Sequence, residues 1–171
     1  MKKIVIILSI AFAIISAQSK VGTSAAQFLG IGVGPKSIAM GGAFTSIADD
    51  ASTLYWNPGA ISRLDKSQTM FSNASWLVDT NVNLLAAVLK LDQSNAIGIF
   101  FMQLDYGDEL ITDLYNQSGT DLYWKASDLV AGLSFARNLT NRFSMGGSLK
   151  YISQRIHNEN ASSVALDVGL L

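Results

Sequence analysis

The chain has 171 residues, a formal net charge of -1, 49% hydrophobic residues, 15% charged residues and no cysteine. A net charge near zero without a Lys/Arg cluster excludes a nucleic-acid-binding surface. The lack of cysteine excludes disulfides, thiolate metal sites, thiol catalysis and a lipid-anchored cysteine. The charged fraction lies well below the roughly 25% of an average chain, which disfavours an ordinary soluble enzyme.

The N-terminus has the pattern of a signal peptide. Lys2 and Lys3 form a basic region, residues 4–15 are an apolar run, and the small residues of "SAQS" come after it. The run falls short of the ~20 apolar residues that a membrane-spanning helix needs. We therefore expect export, with cleavage after Ala17 and a signal peptide over residues 1–17.

The next stretch, residues 18–66, is rich in glycine and has no regular period. Its "GIGVGPKS" sequence, Gly30 to Ser37, superficially resembles a phosphate-binding loop. Pro35 interrupts that motif, and the glycine spacing also fails the dinucleotide-binding pattern. The sequence predicts a flexible, extended segment at this point.

The run "GGAFTSIADDASTLYWNPGAI" predicts a short helix at "ASTLYW". Asp49 or Asp50 can accept hydrogen bonds from the free N–H groups at the helix start, and an acid there complements the helix dipole. Pro58 ends the helix and holds Asn57 outside helical geometry. The small residues of "AMGGAF" allow close backbone packing. We interpret the paired acids as helix caps and not as cation ligands.

From residue 67 onward, apolar and alternating segments separated by turn residues predict about six antiparallel strands. Turns are expected at "DQSN" and "NLTN", and a long loop from Gly107 to Ala126. The predicted strands are "QTMFSNASWLV", "NLLAAVLKL", "AIGIFFMQLDY", "DLVAGLSFAR", "NRFSMGGSLKYI" and "SVALDVGLL".

The alternation leaves two kinds of sheet open. In a soluble exported β protein the apolar face would cover a core, whereas in an outer-membrane barrel it would meet lipid while the Ser/Gly/Asp/Lys face lines the interior. The export signal and the pairing of short turns with one long loop favour the barrel. So do aromatic residues near the strand ends, which are expected to form interfacial girdles: Trp76, Tyr106, Trp124 and Tyr151.

No residue pattern for catalysis, cofactor binding or metal binding is found. The single histidine, His157, lies in a polar turn, and no Ser-His-Asp or metal-ligand cluster can be assembled. We expect a protein that is not an enzyme and carries no cofactor.

The segment "GPKSIAMGGAFTSIADDASTLYWNPGAI" resembles the N-terminal signature of the FadL-like outer-membrane barrels, most closely the PorV/PorQ branch of bacteria with type IX secretion. The chain departs from that signature at "SIAM" and "PGAI". The residues that match it in order are Met40, Gly41, Gly42, Ala43, Phe44, Ala48, Asp49, Asp50, Tyr55, Trp56, Asn57 and Pro58.

The resemblance implies an all-β fold, a transmembrane antiparallel β-barrel of about fourteen strands. Its N-terminal segment, which contains the short helix, would fold inside as a plug, with the Asn-Pro element near the junction of plug and wall. PorV-like members are non-enzymatic components of protein secretion and surface attachment in the outer membrane. They bind the C-terminal domains of exported cargo and other secretion subunits. FadL-like members are instead passive transporters of hydrophobic molecules.

The predicted domains are the signal peptide at residues 1–17, a plug at 18–66 and the first part of a barrel at 67–171. About six strands fall below the minimum of about eight in a single-chain bacterial barrel, and an open sheet edge is costly in lipid. We therefore expect a partial barrel, belonging to the N-terminal part of a longer protein. A soluble periplasmic β protein stays open as the third alternative.

Overall fold

The computed structural model describes residues 25–47 and 49–171. The predicted signal peptide at residues 1–17 and the motif residue Ala48 lie outside the described residues. The described residues form an N-terminal segment, defined as residues 25–47 and 49–66, and a β-sheet that begins at Gln68.

The N-terminal segment contains four short helical turns. Two are 3-10 helices, η1 (Gln27–Gly30) and η2 (Pro58–Arg63), and two are α-helical, α1 (Pro35–Ala39) and α2 (Thr53–Trp56). Within the described part of the chain, no helix has the length and hydrophobicity to cross a membrane.

The helix predicted at "ASTLYW" is confirmed as α2. Asn57, which comes directly after it, has the extended dihedrals φ -156° and ψ 100°, because Pro58 disfavours helical geometry in the residue before it. The extended segment predicted for residues 30–37 is wrong in part. Pro35 begins α1, where its fixed φ suits the first helical turn and its missing N–H removes no hydrogen bond.

The six predicted strands are confirmed and form one antiparallel sheet, each strand pairing with its neighbours in chain order. The sheet does not close, because β1 and β6 form its two edges. The strands are β1 (Gln68–Ser75), β2 (Asn81–Lys90), β3 (Asn95–Leu110), β4 (Tyr123–Thr140), β5 (Phe143–Ile156) and β6 (Glu159–Leu170).

The loop predicted over residues 107–126 is wrong at both ends. β3 and β4 extend into it, pairing Glu109 with Trp124, and only residues 111–122 separate the two strands. A bulge between Asp105 and Asp108, with Gly107 at φ +76°, permits this extension, because the extra residues are absorbed before pairing resumes. The "NLTN" hairpin is confirmed, although β4 runs to Thr140 and the turn lies at residues 141–142.

The two faces of the sheet have opposite environments. We call the face beneath the N-terminal segment the inner face; the core lies there, with Leu54 and Ile61 of the segment clustered with Phe100 and Val130 of the sheet. Buried polar residues also lie on this face, which is unusual for a soluble core. They are Asp128, Ser134, Ser144, Ser148 and Lys150.

The opposite side, which we call the outer face, carries large apolar side chains with nothing against them. Leu133 is 60% exposed and Leu166 is 73% exposed, although both lie within strands. The exposed apolar residues of this face include Phe71, Leu85, Leu89, Ile99, Phe101, Leu129, Leu133, Phe135, Phe143, Met145, Leu149, Tyr151, Val164, Leu166, Val168 and Leu170. The sheet is therefore apolar on its exposed side and partly polar on its buried side.

Candidate functional site: the N-terminal segment on the inner face

Asn57 makes three side-chain hydrogen bonds, two within the N-terminal segment and one to β6 of the sheet. Its Nδ2 donates to the carbonyl oxygens of Thr45 at 2.8 Å and Leu170 at 2.9 Å, and its Oδ1 accepts from the Gly59 N–H at 2.9 Å. The side chain is 4% exposed. Each of these bonds would leave a buried polar group unpaired if it were lost, which makes Asn57 the most constrained residue of the motif.

Two glycines of the sheet allow this close approach. A Cβ built on Gly146 of β5 would lie 2.6 Å from the Pro58 oxygen, and one built on Gly169 of β6 would lie 2.7 Å from the Gly59 nitrogen. Both distances are shorter than real Cβ contacts, so only glycine fits. The Asn-Pro element thus lies directly against the backbones of β5 and β6.

The two acids of the motif have different partners. Asp50 Oδ1 accepts the Ser52 backbone N–H at 2.8 Å and the Ser52 hydroxyl at 2.5 Å. Ser52 is the N-cap residue of α2 and no side chain caps this helix, so the helix-cap prediction is wrong, although Asp50 does bond the residue that precedes the helix. Asp49 instead forms an ion pair with Lys36, and both side chains are about half exposed. A pair so open to solvent contributes about 0–1 kcal/mol.

The aromatic residues of the motif form hydrogen bonds that connect α2 to the backbone of residues 29–33. Tyr55 donates its hydroxyl to the carbonyls of Leu29 and Ile31, the second at 3.1 Å, and Trp56 Nε1 donates to the Val33 carbonyl at 3.0 Å. Burial, and secondarily the negative charge of Asp167, raises the pKa of Tyr55 to about 12. The Tyr55 phenol therefore stays neutral and remains a hydrogen-bond donor at physiological pH.

The first part of the motif makes a tight turn. Gly41 and Gly42 have φ values of +66° and +81°, which favour glycine. The close packing predicted there is wrong, because a Cβ on Gly42 would meet Trp56 at 3.5 Å, an ordinary contact distance, and nothing lies within 4 Å at Gly41. Phe44 is fully buried, whereas Met40 and Ala43 are exposed.

An ion pair lies under the segment. Lys150 of β5 pairs with Asp167 of β6, and the Lys150 side chain is only 10% exposed. Its Nζ lies 5.8 Å from the Tyr55 ring centroid and 5.6 Å from that of Phe100, within cation–π range. The pair gives Tyr55 a charged contact on the sheet.

We call the end of the sheet that carries the β3–β4 loop, residues 111–122, the loop end, and the opposite end, with the β2–β3 and β4–β5 turns, the turn end. A cavity of about 450 Å³ opens on the inner face at the loop end. Three of the four aromatics predicted for interfacial girdles line it, so that prediction is wrong for Trp76, Tyr106 and Trp124. Tyr151 lies on the outer face, but opposite Ala131 near the middle of the sheet and not at a strand end. Successive strand residues point to opposite faces, so the parity of each position decides its side. The lining residues are Ile31, Trp76, Leu77, Val78, Thr80, Leu104, Tyr106, Glu109 and Trp124.

Behind this cavity lies a buried carboxylate. Asp128 is 5% exposed; its Oδ2 accepts the Tyr106 hydroxyl at 2.9 Å and its Oδ1 accepts Gln154 Nε2 at 3.2 Å. Gln154 Oε1 in turn accepts the Ala26 N–H at 3.0 Å. These bonds connect the N-terminal segment to β3, β4 and β5.

A second, polar cavity of about 510 Å³ lies at the turn end, between η2 and the β2–β3 and β4–β5 turns. Arg63 donates through Nε to Ser144 Oγ at 3.1 Å and through Nη1 to the Asn141 carbonyl at 3.0 Å. Its Nη2 is the buried side-chain atom without a partner in the described part of the chain. Lys90 contacts the Ser62 carbonyl beside it.

Several of these groups were missed from the sequence. The Lys150–Asp167 pair and the Asp128–Tyr106 bond depend on strand register, which a single strand's pattern does not give. The sequence did contain a signal for the glycines, because Gly146 and Gly169 both lie within predicted strands, and a glycine inside a strand suggests close approach of another backbone. His157 lies in the β5–β6 turn as predicted, at φ 53°.

Within residues 25–47 and 49–171, no group of three or more acidic or histidine residues is placed to hold a metal ion. Comparison with models of known protein families finds none that matches this chain. A search of the curated proteins finds no match either.

Proposed function

We propose that the chain forms the plug and part of the wall of an outer-membrane β-barrel that acts, without catalysis, in protein secretion and surface attachment. The membrane part of this proposal rests on one observation: polar residues are buried and apolar residues are exposed, which is the reverse of a soluble sheet. Asp128 and Lys150 are buried on the inner face while Leu133, Leu149 and Leu166 are exposed on the outer one. A contiguous apolar surface of this extent is rare on soluble monomers and is what lipid contact requires.

The register of the strands supports a membrane-sized apolar band. Ile99, Leu133, Leu149 and Leu166 form one cross-strand row through the centre of the outer face. Toward the loop end the row of Asp105, Ser127, Arg155 and Asn160 is polar. Toward the turn end the band ends at the polar Asn95 and Arg137 on β3 and β4, whereas on β5 and β6 the same row holds the apolar Met145 and Leu170.

The band has the thickness of an outer-membrane core. Ser127 and Arg137 on β4 are roughly 34 Å apart along the strand at ~3.4 Å per residue. A tilt of about 45° reduces this to about 24 Å, close to the ~25 Å apolar band of such barrels. The proposal requires partners for the edges of β1 and β6, because unpaired backbone groups are costly in lipid.

The role in secretion is supported by the motif. Its residues make one hydrogen-bonded unit around Tyr55, Trp56 and Asn57, which packs on the inner face at Gly146 and Gly169. By the resemblance of the sequence to PorV/PorQ-type proteins, this unit would be the plug, with the Asn-Pro element near the junction of plug and wall. By that resemblance the partners are outer-membrane lipid, cargo C-terminal domains and other secretion subunits.

Two measurements test this proposal. The complete gene product is expected in the outer-membrane fraction, extractable by detergent but not by alkaline carbonate; recovery in the soluble periplasmic fraction would exclude a membrane barrel. Purified in detergent, it is expected to retain the C-terminal domain of a type IX cargo and not an unrelated exported domain. Equal retention of both domains, or of neither, would exclude the secretion role.

A passive transporter of hydrophobic compounds is the second candidate, favoured by one observation. The 450 Å³ cavity is lined largely by apolar and aromatic side chains, with Ile31 of the N-terminal segment at its wall. A transporter of this type requires an apolar pocket beside its plug. Unchanged uptake of hydrophobic compounds after gene deletion would exclude it. The third alternative, a soluble periplasmic β protein, requires a partner surface covering the whole outer face.

A further inference from the structure

From the cavity at the loop end we infer a binding site for an apolar organic cation, such as an alkyl- or arylammonium compound. The inference concerns ligand chemistry. The same cavity favours the transporter candidate. The biological role of cation binding therefore rests on that candidate, whereas the binding itself does not.

Three aromatic rings at one cavity are the first reason. Trp76 comes from the β1–β2 connection, Tyr106 from the bulge of β3 and Trp124 from the start of β4, so three separate elements bring aromatic side chains to one space of about 450 Å³. That volume suits a small molecule. Aromatic faces attract ammonium groups through the ring quadrupole, most strongly for tryptophan.

The charge around the cavity is the second reason. Glu109 is the acidic lining residue and pairs in register with Trp124, so both side chains lie on the same side of the hairpin. In the described residues the Glu109 carboxylate has no hydrogen bond or ion pair. No Lys or Arg lines the cavity. An unpaired carboxylate beside aromatic rings is complementary to a cation and repels an anion.

The buried carboxylate behind Tyr106 is the third and independent reason. Asp128 is 5% exposed and accepts hydrogen bonds from Tyr106 and Gln154, but it forms no ion pair in the described part of the chain. A buried charge without a counterion is costly. Two basic side chains of the neighbouring strand positions are paired with other acids, Lys125 with Asp108 and Lys150 with Asp167. A cation bound against Tyr106 would supply the missing counter-charge.

The test uses the complete gene product in a nonionic detergent. Benzyltrimethylammonium is the probe, and its uncharged isostere neopentylbenzene is the comparison. Tryptophan fluorescence reports binding directly because Trp76 and Trp124 line the cavity. We expect saturable binding of the cation at least tenfold tighter than that of the isostere, with the preference decreasing as salt increases.

Variants test the carboxylate and the aromatic rings of the site separately. Glu109→Gln is expected to weaken cation binding at least fivefold and leave the isostere unchanged. Glu159→Gln, a matched change outside the cavity lining, is expected to alter neither. Trp124→Leu is expected to weaken both ligands; if it fails to fold, Trp76→Leu, in the connection outside the strands, replaces it.

Equal affinity for the cation and the isostere would overturn the inference, as would no binding of either or cation binding that Glu109→Gln leaves unchanged. These results are separate from the membrane proposal. The titration measures ligand binding by the purified protein, whereas fractionation measures its location in the cell. Either the cation site or the membrane location can therefore be disproved without the other.

Discussion

Replacing Leu133 with arginine discriminates sharply between a lipid-facing and a water-facing sheet. Leu133 is 60% exposed on the outer face of β4 and pairs with Ile99 and Leu149 in the central apolar row. In water, an exposed Leu→Arg change on a strand alters stability by about 0.5 kcal/mol or less. In lipid, the same change places a charge near the middle of the hydrocarbon layer.

The expected cost depends on the depth of the residue. Leu133 lies between the polar positions Ser127 and Arg137, so its side chain is near the middle of the band. Arginine at the bilayer midplane of a barrel costs about 2–4 kcal/mol, falling to about 0–1 kcal/mol near the interface. Leu139→Arg is the matched control, because Leu139 is 50% exposed on the same strand but lies beyond Arg137, next to the turn.

The assay is reversible folding of the complete gene product into lipid vesicles, monitored by tryptophan fluorescence across a denaturant series. Leu133→Arg is expected to lower the free energy of unfolding by about 2–4 kcal/mol, and Leu139→Arg by about 0–1 kcal/mol. If the two variants agree within about 0.5 kcal/mol, or if Leu133→Arg makes the protein more soluble without loss of stability, the assignment of the outer face to lipid is wrong.

Three further predictions concern the N-terminal segment. Gly146→Ala is expected to destabilise by about 1–3 kcal/mol because its Cβ meets the Pro58 oxygen at 2.6 Å. Gly147→Ala, with 3.3 Å to its nearest atom, should cost less, and equal denaturant midpoints would refute the close approach. Asn57→Ala is expected to cost about 1–3 kcal/mol and to make the segment sensitive to protease; unchanged proteolysis would contradict its role. Tyr55 has its folded pKa raised to about 12, so its contribution to stability is complete below the unfolded value of about 10 and is lost as pH rises through 12. The ultraviolet titration of the wild type minus Tyr55→Phe should show one phenol ionising near pH 12, whereas a midpoint near 10 would show that Tyr55 is not buried.

The strands could be predicted because the sheet has a two-residue period that the sequence displays. In β5, Phe143, Met145, Leu149 and Tyr151 alternate with smaller and polar residues, and the structure exposes the first set. The pattern sorts residues into two faces. It does not say which face is buried, because lipid and a protein core select the same apolar residues.

The site was harder to predict because it depends on contacts between distant strands. Trp124 and Tyr106 looked like interfacial aromatics, but each lies an even number of residues from a buried inner-face position of its own strand, Asp128 and Leu104, so both point inward. The bulge at residues 105–108 acts instead on Glu109, which it brings opposite Trp124 on the same face. One residue of displacement exchanges the two faces. The Lys150–Asp167 pair likewise depends on the register of β5 and β6, which sets Lys150 opposite Ala165 and so brings Asp167 diagonally across from it. No local sequence pattern identifies this pair.

The helix at Thr53–Trp56 was predictable because its signals are local. Asp50 before it and Pro58 after it act within a few residues. The contact of Asn57 with Leu170, 113 residues along the chain, has no such local signal.

The most direct test of the central claim is to measure whether single labelled positions of the outer face are exposed to lipid or to water. One cysteine can be introduced at Leu133, Leu149 or Leu166 and spin-labelled, since residues 1–171 contain no cysteine that would also be labelled. In lipid vesicles the three labels are expected to be accessible to oxygen and shielded from a water-soluble nickel complex, with the opposite result at Leu139. Nickel accessibility at all three central positions equal to that at Leu139 would contradict a lipid-facing wall.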